Sequence, residues 1–73
     1  MKNEKFGVSD VEYNLITTLS NILQGEEVLG KYLEDAQSSG DEEVVTLFRE
    51  IQEANNGFAK RLREKLHDQF MNK

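Results

Sequence analysis

From Val8 to Ala36 the apolar residues Val8, Val11, Leu15, Leu19, Ile22, Leu29, Leu33 and Ala36 recur three and four positions apart, with one polar interruption. That spacing is one face of an α-helix. Its start is marked by Ser9-x-x-Glu12, the spacing of a capping box, with Val8 and Tyr13 placed to close a hydrophobic staple. The run Ser38-Ser39-Gly40-Asp41-Glu42-Glu43 follows. It combines a glycine suited to a helix C-terminus, a second Ser-x-x-Glu box at Ser39 and Glu42, and acids favoured by the next helix dipole. A second stripe then runs through Val44, Leu47, Phe48, Ile51, Ala54, Phe58, Leu62 and Leu66. The pattern predicts an all-α chain, one domain over 1–73, with a helix over 9–38, a turn at 39–41 and a helix over 42–70. Asn55-Asn56-Gly57 read alone is a turn signal that would split the second helix, whereas Ile51, Phe58, Leu62 and Leu66 stay in phase across it and favour continuity.

Two thirty-residue helices make a rod about 45 Å long at about 1.5 Å per residue. A lone antiparallel pair is thin, because each helix meets one neighbour and one stripe is all it buries. The apolar face is wider than one partner needs. Gly25, Val28, Leu29, Tyr32 and Ala36 broaden it on the first helix, and Val45, Ala59 and Phe70 on the second. These eight residues are the candidate interface of a homodimer in which two hairpins complete a four-helix bundle.

Composition narrows the setting. The 73 residues include no Cys, Pro or Trp, and carry nine Lys plus Arg against fourteen Asp plus Glu, a net charge of −5. Disulfides and thiolate metal sites are excluded, and no Pro interrupts either helix. No stretch approaches the roughly 18 apolar residues of a membrane span, and Met1-Lys2-Asn3-Glu4-Lys5 lacks the apolar core of a secretory signal. The expectation is a cytoplasmic protein with no membrane partner. Charge is unevenly distributed: residues 34–50 hold six acids and one Arg, whereas residues 1–12 and 60–73 together hold seven bases and five acids. An antiparallel dimer would set each acidic turn beside the partner's more basic ends.

Some polar residues fall on the stripe. Glu26 projects between Ile22 and Leu29, with Glu27 at the edge. Pairing across a turn near residue 40 sets Glu26 opposite Ala54 and Asn55, so Glu26 and Asn55 form a candidate buried polar pair. Two readings of Glu26 stand. In one, its stem packs while its head reaches water; in the other, two such carboxylates meet at a dimer axis and hold a metal or a proton, with Glu26 and Glu27 as ligands. The first is the simpler and assigns no metal and no cofactor. Glu12 serves its capping box or reaches Lys65. Gly30 on the inner face and Gly25 and Gly57 on the flank reflect either close helix approach or weak demand on the surface.

Chemistry beyond this is sparse. Glu64-x-x-His67 has the spacing of a carboxylate-bridged metal site, but it points away from the stripe of Phe58, Leu62 and Leu66. No nucleophile, base and orienting acid assemble, and no phosphate loop follows a strand, so no catalytic residue is assigned. Lys60-Arg61-x-Arg63-x-Lys65 is the one basic cluster, and its charges spread around the helix instead of forming a face. With an acidic chain behind it, it argues against a nucleic-acid partner.

The blocks Leu23-Gln24-Gly25-Glu26-Glu27, Lys31-Tyr32-Leu33-Glu34-Asp35-Ala36, Gly40-Asp41-Glu42-Glu43 and Phe48-Arg49-Glu50-Ile51-Gln52-Glu53 resemble short bacterial, notably cyanobacterial, helical-hairpin proteins of uncharacterised function. Those proteins look like half of a ferritin-like or rubrerythrin-like bundle. The resemblance covers roughly residues 13–66 and implies the bundle architecture. Ferritin-like sites take a Glu from one helix and an inward Glu-x-x-His from the next. Glu26 or Glu27 matches the first element, but Ile51, Ala54, Asn55 and Phe58 stand where the second is needed. The leading expectation is a non-enzymatic, self-associating hairpin acting as a protein-interaction or assembly module. A metal-binding ferritin-like bundle centred on Glu26 is the alternative, and an RNA-binding hairpin dimer using Arg61 and Arg63 a third.

Overall fold

The computed structural model describes Gly7 and residues 9–71, and among these the only regular secondary structure is helical. Helix α1 spans Asp10–Ser39 and helix α2 spans Glu42–Met71, packed against each other as an antiparallel hairpin. Each limit lies one residue from the expected one, apart from the start of α2. Ser9 caps α1: its Oγ accepts the Glu12 N–H at 3.1 Å and its hydroxyl donates to Glu12 Oε1 at 3.4 Å. Val8, expected to begin the stripe and to staple against Tyr13, lies outside the described residues.

The turn is short because Gly40 takes φ 76° and ψ 17°, the left-handed conformation that glycine adopts without a Cβ penalty. Its N–H reaches Gln37 O and the Asp41 N–H reaches Ala36 O, each at 3.2 Å, which satisfies carbonyls at the end of α1. The second capping box does not form. Ser39 is still helical and its hydroxyl donates back to Ala36 O at 3.0 Å. Asp41 caps α2 instead, its Oδ1 accepting the Val44 N–H at 3.2 Å and its carbonyl the Val45 N–H at 3.0 Å. Helix α2 passes through Asn55-Asn56-Gly57 without a break.

The inner seam departs from the apolar stripes at several positions. On α1 it follows Glu12, Leu15, Leu19, Ile22, Glu26, Leu29, Leu33 and Ala36, a strict three-four alternation. Glu12, only 2% exposed, takes the place expected for Val11, which faces outward. On α2 the seam is Val45, Phe48, Gln52, Asn55, Ala59, Leu62, Leu66 and Gln69. Leu47, Ile51, Ala54 and Phe58 were expected on this stripe and are exposed. The physical reason is that α2 carries two apolar rows roughly a quarter-turn apart, and the stripe drawn from hydrophobicity mixes them. Counted outward from the turn, the two seams mirror each other layer by layer, from Ala36 opposite Val45 to Glu12 opposite Gln69.

The result is a rod of 52 × 18 × 14 Å with a radius of gyration of 16.3 Å. A compact chain of this length has a radius of about 11 Å. Among the described residues only Leu29, Ala36 and Glu12 are buried, and none of them is on α2.

Candidate interaction surface

Halfway along the rod, Asn55 Nδ2 donates to Glu26 Oε2 at 2.7 Å, joining the two residues singled out as a polar pair. Both are half-buried in the seam. The contact is a charge-assisted hydrogen bond across the hairpin, and it fixes the register: a slip of either helix separates these partners and leaves polar groups against Ile22 and Ala59. Among the described residues no three His, Cys, Asp or Glu gather as a potential metal site. Glu27 is exposed, as are Glu64 and His67.

The eight candidate interface residues divide into two groups. Leu29, Ala36, Val45 and Ala59 lie in the hairpin's own seam, where they hold α1 to α2. Gly25, Val28, Tyr32 and Phe70 face outward. Tyr32 leans over the seam toward Phe48, with ring centroids 6.4 Å apart and planes tilted by 41°. A Cβ built on Gly25, Gly30 or Gly57 meets nothing within 4 Å, so within one hairpin no close approach calls for these glycines.

The more extensive surface is on α2. Val44, Leu47, Ile51, Ala54 and Phe58 follow their own three-four alternation beside the seam, with Leu47 53% and Phe58 51% exposed. Thr18 of α1 lines a groove with Phe58, Arg61 and Lys65, which fixes the side of the hairpin this row occupies. Gly25 and Tyr32 recur at seven-residue intervals from Thr18 and so belong to the same side. The result is a continuous apolar face of Val28 and Tyr32 from α1 and the five α2 residues. Sequence reasoning assigned Leu47, Ile51, Ala54 and Phe58 to the inner core and so missed them as a surface. The signal available was the mirror symmetry of the two seams about the turn, which places Gln52 and Asn55 inside despite their polarity.

The basic cluster divides as well. Arg61 stacks on Phe58, its Cζ 5.8 Å from the ring centroid, and lies with Lys65 in the Thr18 groove. Lys60, Arg63 and His67 border a separate groove with Leu66 and Phe70. No single basic stripe results. No described helix is long and apolar enough to cross a membrane.

Comparison with protein-family models, with curated proteins and with solved structures finds no match for this chain. The ferritin-like resemblance therefore rests on the sequence blocks quoted above.

Proposed function

We propose that the chain is a non-enzymatic, self-associating helical hairpin, a protein-interaction or assembly module whose first partner is a second copy of itself. Two hairpins then form a four-helix bundle, the arrangement that half of a ferritin-like bundle would need. The observation that carries this reading is α2: thirty residues long, it buries none of them fully and leaves a second apolar row in water. A contiguous patch of that kind on a small protein is characteristic of an interface.

Area supports it. The chain exposes 5699 Å². A compact monomer of 8.4 kDa exposes about 4,600 Å². The excess, about 1,100 Å², is comparable to the roughly 800 Å² that each partner buries in a standard interface. The polar pair at Glu26 and Asn55 fits a structural role, because each satisfies the other within one hairpin.

Sedimentation of the full chain at micromolar concentration tests the reading. The expected result is a dimer, converted to monomer by Leu47→Glu combined with Phe58→Glu, which place charge on the outer row while leaving the seam intact. A helical monomer for the unmodified chain overturns it.

A further inference from the structure

The apolar row of α2 is confined to the half of the hairpin next to the turn, and this orients the partner. Following the same face of α2 toward the open end, the row that begins with Val44 and ends its apolar part at Phe58 continues as Arg61, Lys65 and Asp68. A second copy lying flush and antiparallel along the whole rod would bury these charges against the apolar part of its partner's row, around Val44, Leu47 and Ile51, which is costly without opposite charge. A second copy covering only the turn-proximal half would not.

We infer that two copies associate as a staggered antiparallel pair whose two-fold axis passes beside Ile51, with the acidic turn of each hairpin lying against Arg61 of the other. This rests on the self-association proposed above and specifies its geometry. Ile51 is the middle of the apolar row, so positions equally far on either side of it face each other across the axis. Val44, seven residues before it, meets the second copy's Phe58, seven after, and Leu47, four before, packs beside its Ala54, three after. The register set by the Glu26–Asn55 bond places Gly30 of α1 level with Ile51. Val28 then meets the second copy's Tyr32, two residues to either side of Gly30.

The same symmetry carries the charges. Glu43, exposed in the first turn of α2, lies eight residues before Ile51 and Arg61 ten after it, both on the side of the row away from the seam, so the Glu43 carboxylate of one α2 comes within about 3 Å along the axis of the guanidinium that flanks Phe58 of the other. Two such pairs bound the interface, one at each end. The copies overlap over about 30 Å of rod, and each open end projects about 15 Å beyond its partner. These projecting ends are the parts whose outer face carries Arg61, Lys65 and Asp68, which accounts for their polarity.

The chain contains no cysteine, so introduced thiols are unique. Under mild oxidation Ile51→Cys is expected to yield a disulfide-linked dimer. A mixture of Val44→Cys and Phe58→Cys chains is expected to link to each other, and neither to itself. A flush antiparallel pair sets Ile51 opposite the second copy's Leu62, about 16 Å from its own counterpart along the axis, and a parallel pair faces α2 against α1. Either keeps the two thiols at position 51 beyond the roughly 7 Å limit between Cα atoms for a disulfide. In a separate measurement, Glu43→Gln removes the charge while leaving the Asp41 cap in place. It and Arg61→Gln are each expected to weaken dimerisation about threefold, and the double variant no further. Chains that sediment as dimers but fail to cross-link at Ile51, or an additive loss in the double variant, overturn the staggered geometry while leaving self-association standing. A folded monomer for the unmodified chain removes both.

Discussion

At the scale of single residues, the Glu26–Asn55 bond ties α1 to α2 across 29 positions of sequence. Its two partners depend on each other more than either depends on its surroundings. Replacing one alone leaves the other half-buried without its counterpart, which costs about 1 to 2 kcal/mol, whereas replacing both with apolar groups of similar shape is close to neutral. Glu26→Leu and Asn55→Leu are therefore each expected to lower the urea midpoint, and the double variant to recover most of the loss. Equal, additive losses would show that the pair contributes nothing as a pair. The reading of Glu26 as opposite Asn55 was available from sequence because counting away from a turn at Gly40 is arithmetic. The burial of Glu12 was not, because hydrophobicity assigns the inner position to its neighbour Val11.

At the scale of elements, glycines separate into those the backbone requires and those it tolerates. Gly40 sits at φ 76°, where an L side chain is strained, so Gly40→Ala is expected to cost about 1 to 2 kcal/mol. Gly57 lies in the middle of α2 on the outer side with open space around its missing Cβ. Gly57→Ala is expected to stabilise by about 1 kcal/mol through helix propensity. Chemical denaturation of the two variants at matched concentration checks both signs. The existence, length and turn of the two helices were legible because apolar spacing and cap residues act locally. The inward face of α2 was less so. Its seam includes Gln52, Asn55 and Gln69, while Leu47, Ile51 and Phe58 lie outside it, so hydrophobicity alone points to the wrong row. Only packing against α1 distinguishes the two, and packing is a property of the pair.

At the scale of the whole molecule, a rod 52 Å long and 14 Å across at its narrowest has little interior to hold it together. If a second copy supplies the missing cover, folding and association become one equilibrium. Stability then depends on how much protein is present: a tenfold rise in chain concentration is expected to add about 1.4 kcal/mol per mole of dimer and to raise the melting temperature measurably. Thermal unfolding followed by circular dichroism across two decades of concentration tests this. A melting temperature that stays constant would mean that the hairpin stands alone.

The mirrored seams also restrict how the rod can change size. Every rung joins one position on the outgoing strand of the ladder to one equally distant on the return, and the pattern repeats every seven residues. Shortening or lengthening only one rail would set unlike rungs against each other, whereas removing the same heptad from both would preserve every remaining match. Reach is thus an adjustable dimension of this architecture, altered in paired steps of about 10 Å per heptad, with Gly40 and its two caps unchanged.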